Sequence, residues 1–340
     1  MNRSNRNAAS MRLAAGRIDL GKVKGYVFEN FSWVLLILIA TLASIINPAF
    51  YSKTNLINLF LHSVVLGILV LAESVCLVTG HFDLTIESNL IFSAIIAGWL
   101  ISPSSVASGW ELHPLFGILL MLITGIVVGM TNGFLVSYIG MNPFITTLSM
   151  SIILSGGSVI ISKGRTIYPL PNGFTFLGKG LVGDIPIAIL FLIGLYILFH
   201  FILTFTTFGR KLYAVGGNKF TAKASGINVK FIVFLAYTVS GLLCSSAGWV
   251  MGGKLGTVSS IMTTGLLLYV FAAAVMGGVS LNGGEGKTLG VFGGVLLLST
   301  ISNLMNLSRI NPFVITSTTG LIILLAMLIS TIKSGISFRS

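Results

Sequence analysis

Long apolar runs dominate this chain, separated by short breaks rich in Gly, Pro and basic residues. Ten such runs stand out, at 31–47, 56–79, 84–102, 115–138, 144–162, 185–207, 231–252, 265–282, 288–306 and 312–332. Each approaches the roughly 17–25 residues that a helix needs to cross a bilayer. The third, eighth and ninth are interrupted, or flanked, by Gly and polar residues. The pattern predicts an all-α polytopic membrane protein of about ten transmembrane helices, because a spanning segment must satisfy its own backbone. It divides the chain into an N-terminal tail (1–30), a transmembrane domain (31–332) and a C-terminal tail (333–340). The 163–184 break carries Pro169, Pro171, Gly173, Gly178 and Gly180, so an ordered, turn-rich segment is expected there.

Composition agrees with this division. Hydrophobic residues make up 54% of the 340 and charged ones 8%, with a mean hydropathy of +0.99. Ordinary soluble domains carry about 25% charged residues, so a soluble fold is excluded. Forty glycines suit helices that approach closely in lipid. The net charge of +12 is confined to the breaks and tails, the distribution of a positive-inside membrane protein rather than a nucleic-acid binder. Residues 1–24 hold Arg3, Arg6, Arg12, Arg17, Lys22 and Lys24 against Asp19. No small-residue cleavage site ends the first run, so this reads as a cytoplasmic tail. Counting crossings from there puts 208–230, with Arg210, Lys211, Lys219, Lys223 and Lys230 and no acid, in the cytoplasm after six crossings. Ten return the C-terminus to the same side. Cys76 and Cys244 lie inside apolar runs without a CxxC spacing, so neither a disulfide framework nor a thiolate metal site is expected. In the 103–114 break, Trp110 reads as an interfacial anchor and His113 as solvated.

The few polar residues at membrane depth are candidates for function, since burying them is costly. They are Glu73, Asp83 and Glu87, with Glu285 before the ninth run and His62 and His200 in or near others. Asp83 is placed to cap the third helix, and Glu87, one turn on, to meet that helix's dipole. Glu73 either lines a pathway or pairs with another segment. The same three acids allow a second reading, a proton-coupled secondary transporter with these groups as its relay. Gly284-Glu-Gly-Lys-Thr288 resembles the end of a phosphate-binding loop, but its first glycine is replaced by Leu281. No ATP site is expected in this chain. No nucleophile–base pair or HExxH motif supports an intramembrane enzyme.

Two segments repeat. Asn142-Pro143-Phe144-Ile-Thr-Thr-Leu-Ser recurs as Asn311-Pro312-Phe-Val-Ile-Thr-Ser-Thr, each opening an apolar run, and Val78–Leu84 has a looser echo in Val275–Leu281. Crossing parity puts the two Asn-Pro-Phe copies on opposite sides, the trace of an inverted repeat. Gly125, Gly129 and Gly133, and likewise Gly286, Gly290 and Gly294, recur every four residues as packing ridges.

Four collinear motifs resemble the ribose-type sugar permeases of ABC importers. Thr79-Gly-His-Phe-Asp-Leu-Thr-Ile-Glu-Ser88 is similar to their Gly-Gly-Ile-Asp-Leu-Ser-Val-Gly-Ser. Asn142-Pro-Phe-Ile-Thr-Thr-Leu is similar to their Asn-Pro-Phe-Ile-x-Thr-Leu. Gly209-Arg-x-x-Tyr-Ala-x-Gly-Gly-Asn218, ending in Ala224-Ser-Gly-Ile-Asn228, resembles their cytoplasmic coupling loop. Ala273–Gly286 resembles their Gly-rich block. The resemblance implies a type II importer permease in the prokaryotic inner membrane, translocating a monosaccharide or similar solute. It implies cytoplasmic ATPase subunits that hold ATP and Mg, an external solute-binding protein, and a second permease copy or paralogue. This chain itself would bind no cofactor. The coupling role falls on Gly209, Arg210, Gly216, Gly217, Asn218, Phe220, Ala222 and Gly226. Pathway or gate roles fall on Glu73, Asp83, Glu87, Asn142, Pro143, Phe144, Asn311 and Pro312. The sequence departs from the family at His81-Phe82, which replaces Gly-Ile, and at Glu87, which replaces Gly. Lys219-Phe220-Thr221 replaces Pro-Glu-Ala.

Overall fold

The computed structural model describes residues 30–263 and 265–311, together with Val314, Ser317, Thr318, Gly320, Leu321, Leu324 and Leu328. The tails, Pro312 and most of the expected tenth run lie outside the described residues. The long helices are α1 (Phe31–Ile46), α2 (Lys53–Val78), α3 (Ile86–Ile101), α4 (Pro114–Phe134), α5 (Pro143–Ser162), α7 (Ile187–Phe205), α10 (Val229–Leu255), α11 (Leu266–Met276) and α12 (Thr288–Leu307). A π-helical turn, Leu135–Ile139, extends α4. Among the described residues six segments are long and apolar enough to cross a membrane; α1, α3 and α11 are shorter apolar helices. Three short helices sit between the long ones: α6 (Asn172–Lys179), α8 (Thr207–Gly217) and α9 (Lys219–Ala224). A two-residue antiparallel pair, β1 (Leu181–Val182) and β2 (Ile185–Pro186), completes the ordered 163–186 segment.

Capping residues set the starts. Ser52 opens α2 by accepting from Asn55 N at 3.3 Å, and Asn228 opens α10 by accepting from Phe231 N at 3.1 Å. Pro114 and Pro143 occupy first-turn positions of α4 and α5, where a missing N–H costs nothing. His113, expected to be merely solvated, caps α4 by accepting from Leu115 N at 3.4 Å.

Successive long helices run between two ends of the bundle. At one end Tyr138 packs on Phe234, Trp33 Nε1 donates to Leu289 O, and Gly284 N donates to Val78 O. At the other, Asn47 Nδ2 donates to Leu307 O, Lys53 pairs with Asp184 at 2.6 Å, and Ile167 bridges Val258. The α2 helix forms the axis, with every residue from Ser63 to Val78 buried. On α4, Gly125, Gly129 and Gly133 let α10 approach: a Cβ at Gly129 would sit 3.0 Å from the Tyr237 carbonyl carbon. Outward, α4, α5 and α7 expose Leu115, Ile152, Ile160 and Ile197. Such an aliphatic surface suits lipid and not water.

Three expectations change. The eighth run does not continue as helix to 282: α11 stops at Met276, because Gly278 (φ +83°), Gly283 (φ +89°) and Gly284 (φ +77°) fold 277–287 into turns. Gly286 therefore precedes α12 rather than joining a ridge with Gly290 and Gly294, which pack against the end of α11 at Gly277. The Val78–Leu84 and Val275–Leu281 segments lie at the same end, with a Cβ at Gly80 reaching 3.3 Å from Asn282 O. An inverted pair would lie at opposite ends, so that echo is not one.

Candidate coupling face and the polar cluster beneath it

The basic break between α7 and α10 folds into the two short helices α8 and α9. Thr206 Oγ1 accepts from Gly209 N at 3.3 Å to start α8, and Asn218 Oδ1 accepts from Phe220 N and Thr221 N, both at 3.0 Å, to start α9. Arg210 Nη1 donates to Phe205 O at 3.2 Å, at the carbonyl end of α7 where a cation is favoured. Ala222 is buried under α9, while Phe220 beside it is 88% exposed. Gly226, at φ +80° with open space around it, ends the unit by conformation rather than crowding.

The two glycines of Gly216-Gly217 do different things. A Cβ on Gly216 would collide with the Val78 carbonyl oxygen and lie 2.5 Å from Gly284 N. At Gly217 an added Cβ meets nothing within 4 Å. So α8 rests by bare backbone on two turns at once, the one after α2 and the one before α12. Tyr213 reinforces the second contact by donating its hydroxyl to Gly286 O at 2.6 Å.

The acids gather around the turn after α2: Glu73 in α2, Asp83 in the turn itself and Glu87 in the first turn of α3. Glu73 is fully enclosed and Asp83 nearly so. Asp83 N donates to Glu73 Oε1 at 3.4 Å; Asp83 Oδ1 accepts from Thr85 N at 3.0 Å and from the Thr85 hydroxyl. Ser240 Oγ donates to Asp83 Oδ2 at 2.8 Å, and Asn132 Nδ2 donates to Thr85 Oγ1 at 3.0 Å. Asp83 does not cap α3; it shapes the turn whose Thr85 precedes the helix. Ser240 lies eleven residues into α10, about 16 Å along it at 1.5 Å per residue. The start of α3 is therefore deep. Glu87, in the first turn of α3, reaches across to accept from Leu267 N at 3.1 Å, at the start of α11. The dipole it meets is that of α11 as well as its own helix.

On the coupling side of the turn stands His81, 8% exposed. Its Nδ1 is 2.9 Å from Thr79 Oγ1 and its Nε2 3.4 Å from Lys219 Nζ. Burial, and then the Lys219 charge, push the His81 ring down to about 4; burial also lowers Lys219.

Of the other expected site residues, Asn142 caps α5 by accepting from Phe144 N at 3.0 Å and Ile145 N at 3.3 Å, and Phe144 is exposed. Asn311 lies at the opposite end, exposed. The structure brings the α8–α9 residues and the Asp83 turn together and leaves Asn142 and Asn311 apart from them. Asn132 and Ser240 were missed, since a lone hydroxyl or amide in an apolar run carries no periodic signal; Thr85 and Tyr213 stood within the motifs but were given no role of their own. The cysteines stay free and buried. Among the described residues no group of three or more His, Cys, Asp or Glu could hold a metal ion.

Apolar helices, lipid-suited flanks and a basic two-helix unit seated on backbone turns define a polytopic membrane protein. The chain belongs to the family described as branched-chain amino acid transport system / permease component, whose model matches residues 55–332. It is similar to the ribose import permease protein of Bacillus subtilis (strain 168), 32% identical over 303 residues, covering 88% of this chain and 92% of that one. It is 30% identical over 310 residues to the L-arabinose transport system permease protein of Escherichia coli (strain K12), covering 91% and 92%. To the D-allose transport system permease protein of the same strain it is 29% identical over 286 residues, covering 83% and 84%. No solved structure matches.

Proposed function

We propose that this chain is the membrane-spanning permease of an importer for a monosaccharide or similar small polar solute. An external binding protein delivers the solute, and ATP is hydrolysed on separate cytoplasmic subunits that dock on α8–α9. The observation that carries this is the seat of α8, whose Gly216 backbone touches the turns at Val78 and Gly284 together. A push on α8–α9 thus reaches α2 and α12 at the same moment. The relatives named for ribose, arabinose and allose transport support the solute class.

In this reading the α8–α9 end faces the cytoplasm. That end receives α1, and with it the basic tail from Arg3 to Lys24, which satisfies the positive-inside bias. The nine long described helices and the run at 312–332 then make about ten crossings. The Asn142 and Asn311 helix starts, at opposite ends, belong to an inverted repeat in which α3 and α11 are equivalent half-depth helices. Two permeases, identical or paralogous, pair around the pathway, and rocking between two states alternates access. The chain binds no nucleotide itself; ATP and Mg stay on the partners.

The test is uptake into proteoliposomes carrying the permease with its genetically neighbouring ATPase and binding protein. Labelled ribose, arabinose and allose should accumulate only with ATP on the ATPase side. Uptake without any ATPase subunit would overturn the reading.

A further inference from the structure

Two of the three places where this sequence leaves the ribose-permease motifs touch each other. His81 stands where the motif has Gly, and Lys219 where it has Pro. Neither motif residue carries a side-chain donor or acceptor, so the contact between them is a property of this chain. The hydrogen positions follow from the partners. Thr79 Oγ1 gives its one proton to Cys76 O at 2.7 Å. The proton between Thr79 Oγ1 and His81 Nδ1 at 2.9 Å must then sit on the ring. A neutral ring protonated at Nδ1 leaves Nε2 as an acceptor, and it faces Lys219 Nζ at 3.4 Å. A directed chain results: the Lys219 ammonium donates to His81, His81 to Thr79, and Thr79 to the last turn of α2. The turn that follows α2 is tied to α10, where Tyr237 donates its hydroxyl to Phe82 O at 2.7 Å.

We propose that Lys219 and His81 form a positioning pair that carries displacement of α9 into the last turn of α2 and the Asp83 turn. It rests on the importer reading above and adds a second, polar connection beside the Gly216 seat. The seat is a steric contact that transmits only a push. A charge-assisted hydrogen bond also resists separation, so α9 can pull the turn back when the ATPase subunits relax. Lys219 suits this: it sits at the start of α9, next to the exposed Phe220.

The test uses the full importer in proteoliposomes and reads solute imported per ATP hydrolysed. Lys219→Met keeps the aliphatic stem without the donor, and His81→Ala removes the acceptor. Each should lower the ratio roughly tenfold or more, the scale of one charge-assisted hydrogen bond. The double variant should be no worse than either single one, since the pair acts as a unit. Lys219→Arg, which keeps a donor, should recover the ratio to within about twofold. Equal melting temperatures for Lys219→Met and Lys219→Arg exclude misfolding as the cause of a difference. Wild-type ratios in both single variants, losses that multiply in the double, or failure of Arg to recover the ratio would overturn the pair alone. Import by the wild-type permease without ATPase subunits would overturn the importer reading and this one with it.

Discussion

Gly216 and Gly217 are adjacent and identical, yet replacing each with Ala should give opposite results. At Gly216 the new methyl would lie 2.5 Å from Gly284 N and 2.9 Å from the Val78 carbonyl carbon, and closer still to that carbonyl's oxygen. Ordinary contacts of this kind are about 3.5 Å, so α8 must lift by about 1 Å. Overpacking of this sort costs roughly 1–3 kcal/mol. Lifting also strains the hydrogen bond of 2.6 Å from the Tyr213 hydroxyl to Gly286 O, worth about 1 kcal/mol. The sum, about 2–4 kcal/mol, moves the seated fraction of α8 by a factor of roughly 30 to several hundred. Gly217→Ala meets open space near the C-terminus of α8 and gains up to about 1 kcal/mol of helix propensity. Solute import per ATP in the reconstituted importer measures the difference. Gly216→Ala should abolish coupled import while the protein still inserts and assembles, and Gly217→Ala should retain it. Equal behaviour of the two variants would refute the seat.

Phe220→Asp should leave the melting temperature of the purified permease unchanged, because the ring is 88% exposed; co-purification with the ATPase subunits should fall, and a full yield of complex would argue against α9 as the docking element. Glu87→Ala should cost about 1 kcal/mol, the value of a lost helix cap, and lower the melting temperature, whereas Glu87→Gln keeps an acceptor for Leu267 N and should lose less. His81 is held near 4 against its ordinary 6.5, so the folded state disfavours its proton. Its contribution to stability is full above about pH 6.5 and is lost as pH falls toward 4. The total is about 3 kcal/mol, read as the difference in pH-dependent melting between wild type and His81→Gln. A flat difference between pH 7 and 4.5 would contradict a buried neutral ring.

Apolar length and charge were legible at once, because lipid demands both: nine predicted runs each coincide with a described helix, often to within two residues. What failed was local. Met276 ends α11 because three downstream glycines take positive φ, a conformation that Gly permits but does not announce. The 78–84 and 275–281 echo is real as residues but joins two turns that pack against each other, and a shared need for close backbone approach yields similar glycine-bearing sequences without symmetry. His81 and Lys219 were each visible as departures from a motif. Their contact was not, since 138 positions separate them and only the folded turn brings them together.

The buried acids also change meaning once the helix starts are located. Three carboxylates at depth suggest a proton relay when seen as sequence. In the folded chain Glu87 accepts from Leu267 N in the first turn of α11, while Glu73 and Asp83 accept from Asp83 N and Thr85 N in the turn ahead of α3. A helix that begins inside the bilayer leaves its first N–H groups without intrahelical partners and without water. An acceptor must be supplied by a side chain, and a carboxylate meets the positive helix end as well. Because α11 begins at depth, Glu87 follows from the architecture. The consequence separates the two views. A relay loses function when Glu87 becomes Gln, since the amide cannot carry the proton, whereas a cap survives the change and fails only with Ala. Import that persists in Glu87→Gln and falls in Glu87→Ala is the expected pattern, and loss in both would restore the relay.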